Sequence, residues 1–150
     1  MKQVIVNHLG FQGNCLEAMT FYAKVLGAEV EYMRYSEAPM PCPPESKDQI
    51  MHSRLVKDGE CILMAADHPA HVPFQAGTNF CLSAWVGSVD DANRVFAALG
   101  EGGQTTMPLG ETFFAERFGM VKDRFGIAWM VNYSGHKNVQ LKSAKAATTR

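Results

Sequence analysis

Histidine and cysteine are the side chains best suited to chemistry near neutral pH, and this chain holds five of the first and four of the second in 150 residues. His8 lies in a short β-rich run, 4–11, where a neutral imidazole can act as a base or a hydrogen-bond donor. His52 lies in a second apolar run, 50–56, and both faces of that run are mixed. These two are the best catalytic candidates, and the plainer alternative for each is a structural histidine with a satisfied ring. His68 and His71 stand three apart as His-Pro-Ala-His in a proline-bearing stretch, which reads as a solvated connector and not as a helical metal motif.

Cys81 becomes a nucleophile only if a base or a helix terminus lowers its pKa, and no histidine adjoins it in sequence, so a small buried thiol is the plainer reading. Asp67 closes the run 61–66, where its carboxylate can cap the backbone or bind a polar ligand group. Trp85, Phe113, Phe114 and Met130 offer flat or polarisable surface for an organic ligand, whereas alternation sends Trp129 to the core. Glu111 and Glu116 flank the phenylalanine pair five residues apart, a spacing that suits neither one strand face nor one helical turn, so they make a poor catalytic pair. The run Gly-Glu-Gly-Gly at 100–103 follows a helix instead of opening one, which removes the phosphate-loop reading.

The elements that must position these residues are written twice. Residues 4–11 read as a strand, and Asn14 with Glu17 forms a capping signature. Ala18, Phe21, Tyr22 and Val25 follow helical spacing up to Gly27, and 29–35 reads as a strand. The proline-rich stretch 38–44 is barred from a central strand. Residues 50–56 and 61–66 form a hairpin about 57–60. After a connector at 68–78, the strand 79–86, the cap Ser88 with Asp91, the stripe Ala92, Val95, Phe96 and Leu99, and the stop Gly100 repeat that order. Strands at 105–108, 115–122 and 127–133 follow, and the tail 134–150 has too little apolar pattern to hold firmly.

The expected architecture is α+β: a first βαβββ module at 1–67, a connector at 68–78 and a second module at 79–133, with eight strands curving about a cleft. Alternation places Val6, His8 and Gly10 toward that cleft, with Cys61, Leu63, Ala65 and Asp67, with Cys81, Ser83 and Trp85, and with Ala128, Met130 and Asn132.

Bulk properties exclude several classes. With 47% apolar and 19% charged residues the chain is globular, and a formal charge of −1 gives no electrostatic footprint for nucleic acid or an anionic membrane. No apolar run approaches a membrane span, and the amino-terminal residues read directly into a strand. Four cysteines without a CxxC pair fit reduced thiols in the cytoplasm.

Several local motifs carry a family resemblance: Phe11-Gln-Gly-Asn-Cys15 with Phe21-Tyr22, Ile50-Met-His-Ser53, Gly102-Gly103 with Met107-Pro-Leu109, Glu111-Thr-Phe-Phe114, Asp123-Arg-Phe-Gly126 and Trp129-Met-Val-Asn132. With the duplicated βαβββ order, these resemble the PhnB-like branch of the vicinal oxygen chelate superfamily, which includes glyoxalase I, extradiol dioxygenases and fosfomycin and bleomycin resistance proteins. Proteins of that branch are often labelled 3-demethylubiquinone methyltransferases. The resemblance implies a homodimer, and in active superfamily members metal ligands on the first and last strand of each module. Here those positions fall near Val6 or His8, Leu63, Cys81 and Met130. That set offers a possible His and a possible Cys facing Leu and Met, where active members need His, Glu or Gln, and two ligands rarely hold a divalent ion in water, so no cofactor is expected.

The sequence therefore predicts a homodimeric protein that binds a small organic ligand in an apolar, aromatic cleft without a metal, contacting it through His8, Asp67, Cys81, Trp85, Phe113, Phe114 and Met130. The alternatives are a metal-dependent lyase, isomerase or dioxygenase using His8 and His52, and a ubiquinone-pathway methyltransferase.

Overall fold

The computed structural model describes residues 4–145, so the last part of the expected tail, 146–150, lies outside the described residues. Its chain divides into two compact units, Met1–Thr78 and Asn79–Arg150. The first runs β1 (His8–Phe11), α1 (Cys15–Leu26), β2 (Glu29–Arg34), β3 (Ile50–Lys57) and β4 (Glu60–Asp67). The second runs β5 (Leu82–Trp85), α2 (Val89–Gly100), β6 (Gln104–Gly110), β7 (Arg117–Lys122) and β8 (Ala128–Tyr133). The strands hydrogen-bond as two four-stranded mixed sheets of the same order, β1-β4-β3-β2 and β5-β8-β7-β6. In each, the first and last strands pair in parallel and the others are antiparallel.

Each helix covers one sheet face because its apolar stripe requires it. Ala18, Met19, Tyr22 and Val25 of α1 are buried together with Leu9, Phe11, Leu55, Leu63 and Ala65 of the sheet. Ala92, Val95 and Leu99 of α2 are buried with Leu82, Val121, Trp129 and Val131. At about 1.5–3 kcal/mol for each large apolar side chain removed from water, these stripes supply most of the drive for the helices to dock.

Local chemistry closes the elements. The β3–β4 hairpin turns at Asp58 and Gly59, both with positive φ (51° and 80°), the pair of values that a tight two-residue turn requires. Ser88 caps α2, its hydroxyl accepting from the Asp91 amide at 3.0 Å. Asn14 was expected to do the same for α1, but its side chain makes no capping bond. Asp67 takes over that work: one carboxylate oxygen accepts from the amides of Gly13 (2.8 Å) and Cys15 (3.1 Å), and the other from Ile50 (2.8 Å). A full carboxylate drawn from β4 outcompetes the local amide oxygen, and it ties the helix entrance to two strands at once.

The face assignment of β4 differs from the alternation expected above. Leu63, Ala65 and Asp67 lie under α1, with 3%, 0% and 2% exposure, and Met64 and Ala66 take the other face. The register breaks between Leu55 and Val56, so Cys61 does not share the parity of Leu63 and faces the same hollow as Met64. On the other strands, His8 and Gly10 lie opposite the buried Leu9 and Phe11, and Ser83, Trp85, Met130 and Asn132 lie opposite Leu82, Trp129 and Val131, while Val6 and Cys81 fall outside β1 and β5.

Candidate functional site

In each module the helix covers one face of the sheet and leaves the other uncovered. These two uncovered faces have different chemistry.

On the first, His8 and His52 stand with ring centroids 6.5 Å apart and planes within 21° of each other. His8 titrates below the ordinary histidine value, chiefly because burial disfavours its cation, with His52 and then His68 adding repulsion. His68 is not the solvated connector residue that its sequence context suggested. Its ring fills the space over Gly10, where any side chain on that residue would collide with it, and Phe74 packs edge-on against it at 5.1 Å. Its Nδ1 is buried and has no hydrogen-bond partner among the described residues. Beside this histidine group lies a hollow of about 700 Å³, walled by Val4, Ile5, His52, Arg54, Cys61 and Met64 among others. Its apolar wall stands open, with Val4 68% and Ile5 100% exposed.

On the second face an open hollow of about 400 Å³ is lined by Trp85, Phe114, Phe118 and Met130, with Ser83 and Asn132 beside them. Phe114 is clamped edge-on between Phe113 (5.1 Å) and Phe118 (4.9 Å), which fixes the orientation of the wall. Thr112 holds that turn through its hydroxyl, which accepts from the amides of Phe114 and Ala115 at 3.2 and 3.0 Å. The volume lies within the range of small-molecule sites, and an apolar wall with a few polar groups is their usual composition.

Three of the residues singled out from sequence, Trp85, Phe114 and Met130, thus meet in one hollow of the second module. Phe113 backs Phe114 while remaining largely exposed, and Cys81 precedes β5 outside the lining of that hollow. Asp67 is spent on three backbone amides beneath α1. His8 and His52 meet each other on the first module. Sequence reasoning missed Phe118, Ser134 and Lys137, which also line the second hollow. The alternation of Phe118 with the buried Gly119 and Val121 was a signal that could have found it.

The parallel register allows the donor set at the metal positions of the resembled superfamily to be read directly. His8 lies opposite Met64 in the first module, and Ser83 opposite Met130 in the second. These replace Leu63 and Cys81 of the sequence alignment, since the actual faces are one and two residues away. Neither an imidazole beside a thioether, in the first module, nor a hydroxyl beside a thioether, in the second, is the donor pair that a hard or borderline divalent ion selects. Among the described residues, no group of three or more His, Cys, Asp or Glu side chains is disposed to hold a metal. Nor, among them, is any helix long and apolar enough to cross a membrane.

Comparison with known proteins places this architecture. A solved structure of protein PA1353 from Pseudomonas aeruginosa is 44% identical, with a TM-score of 0.81 over 89% of this chain and 98% of that one. A PhnB protein from Bacillus cereus, described as a candidate 3-demethylubiquinone-9 3-methyltransferase, is 26% identical, with a TM-score of 0.72 over 87% of this chain and 99% of its own. Protein YjdN of Escherichia coli K12 is 30% identical over 83% of this chain and 91% of its own length. Residues 5–131 match the glyoxalase/bleomycin resistance protein/dioxygenase superfamily, and with the duplicated βαβββ sheets in place the chain belongs to that superfamily.

Proposed function

We propose that this protein binds a small, flat organic molecule in the hollow of its second module, without a metal ion. The observation that carries this reading is the convergence of Trp85, Phe114, Phe118 and Met130 around about 400 Å³ of space. Trp85 is 72% exposed, a large apolar area for a side chain with no packing role, and stacking a ligand would remove it from water. The donor chemistry described above supplies no divalent-metal cage, so the hollow offers contact area and hydrogen bonds. The four free cysteines fit a reducing, cytoplasmic setting, and we place the protein there as a homodimer.

Calorimetric titration with a panel of naphthalene- and quinone-sized compounds tests the site. Trp85→Ala should weaken the best binder by about tenfold or more while leaving thermal stability within about 0.5 kcal/mol, since the ring is exposed. Unchanged affinity in that variant would remove the hollow from the account.

One observation favours a second reading, metal-dependent lyase, isomerase or dioxygenase chemistry at His8 and His52. The two rings share one sheet face, and with metal–nitrogen bonds of about 2.0–2.1 Å they would have to close from their 6.5 Å centroid spacing and turn toward each other before both could hold one ion. Metal content after incubation with Mn, Fe, Ni and Zn decides between the two. Near-stoichiometric metal that is lost in His8→Ala would favour the second reading. Methyl transfer gains less support: the turn after β1 has one glycine, Gly13, and its amide is already held by Asp67.

A further inference from the structure

The hollow of the second module is lined by two unlike sets of side chains. One is the aromatic wall, and the other comes from the segment that follows β8, which adds Ser134, Lys137 and Asn138 together with Val139 and Leu141. Among the described residues that line it, Lys137 carries the one formal charge, and Ser83, Asn132, Ser134 and Asn138 are polar but neutral.

The placement of Lys137 is built by several contacts. Its amide donates to the Ser134 carbonyl at 3.1 Å, which closes a turn. Within that turn Gly135 has φ of 61°, and the Glu116 carboxylate lies where a side chain on it would go. Glu116 also pairs with His136. The Lys137 ammonium sits 2.7 Å from Glu111, a residue outside the lining of the hollow, and its side chain is only 26% exposed against 63% for Glu111. An ammonium has three donors, so one bond to Glu111 leaves capacity for another acceptor. A half-exposed pair of this kind is worth little by itself, and a ligand can share or displace it at small cost. Next to it the Ser134 hydroxyl accepts from the side-chain Nδ2 of Asn132 at 3.0 Å, leaving its own proton to be donated.

We infer that the ligand of this hollow is an aromatic acid, its ring against Trp85 and Phe114 and its anionic group held by Lys137 and Ser134. This rests on the reading of the hollow as a binding site and adds the charge of what it takes. The arrangement selects against a cation, because Lys137 is the one charged side chain among the described residues of the lining.

The test compares 2-naphthoate with its uncharged isostere 2-naphthamide by calorimetry on the full chain at low ionic strength. A charge-assisted hydrogen bond should favour the acid by about tenfold. In Lys137→Met that preference should vanish. In Glu111→Gln, which frees the ammonium and leaves the fold of the hollow in place, 2-naphthoate should bind a few-fold tighter than to the natural chain. Equal binding of the two probes to the natural chain overturns the inference while leaving the pocket standing. A preference that survives Lys137→Met, or fails to grow in Glu111→Gln, removes Lys137 from the role. Binding of neither probe overturns the pocket as well as its charge preference.

Discussion

The two modules share element order, strand pairing and helix placement, but they secure the helix in different ways and present different chemistry on the sheet face opposite it. In the second, α2 begins on a local cap, Ser88, and the uncovered face collects Trp85, Phe118, Met130 and Asn132. In the first, α1 begins on a carboxylate delivered from 52 residues away, and the uncovered face collects His8, His52, Arg54 and Met64. Duplication conserves what the backbone and the buried stripe require. The outward positions are free of that requirement, and one copy has become a histidine face and the other an aromatic hollow.

The largest expected effect tests the difference in anchoring. Asp67 is 2% exposed and serves three backbone amides, so Asp67→Ala leaves those of Cys15 and Ile50 buried and unmet and takes the acceptor from the part-buried one of Gly13. We expect a loss of about 3–5 kcal/mol in denaturant unfolding. A cost below about 1 kcal/mol would show that water or Asn14 can replace it. The caps give an intermediate effect. Ser88→Ala should cost about 1 kcal/mol, and Asn14→Ala close to nothing, because the Asn14 side chain makes no capping bond. Equal costs would erase the contrast between the two helix entrances.

A smaller effect concerns the thiol beneath α1. Burial first, and then the Asp67 charge, push Cys15 up to about 11, against a partial offset from Ser53. It should therefore stay unreactive to disulfide reagents at pH 8 in the native protein and react on unfolding. The smallest effect is on the histidine face. The His8 pKa is depressed in the fold, so the unfolded chain binds the proton more readily, and the stability contribution is present above pH 6.5 and falls as pH drops below it. Replacing His52 by Gln should raise the His8 midpoint seen by NMR without restoring it fully, since burial remains the larger cause.

Much of this organisation is legible in the sequence because it follows local rules. Gly27 in a left-handed cap, Ser88 as an N-cap and the Asp58-Gly59 turn are each dictated by residue type. The face of β4 was not legible, because Ile62, Leu63, Met64, Ala65 and Ala66 are all apolar and period-two reasoning has nothing to orient it. Strand β5 was legible, since Leu82 and Ala84 alternate with Ser83 and Trp85. Asp67 looked like a strand-end residue because its partners Gly13, Cys15 and Ile50 are distant in sequence. The same limit hid the tail: residues 134–141 have no periodic pattern, and what holds them is pairing of His136 and Lys137 with Glu116 and Glu111.

The central claim is that the aromatic hollow, and not the histidine face, is where a ligand binds. Its most direct test is a nitrogen-15 NMR titration of the full chain with 2-naphthoate. The account predicts the largest shifts at the Trp85 indole N–H and at the amides of Ser83, Asn132 and Lys137. Shifts centred instead on His8, His52, Cys61 and Met64 would contradict it and move the site to the first module.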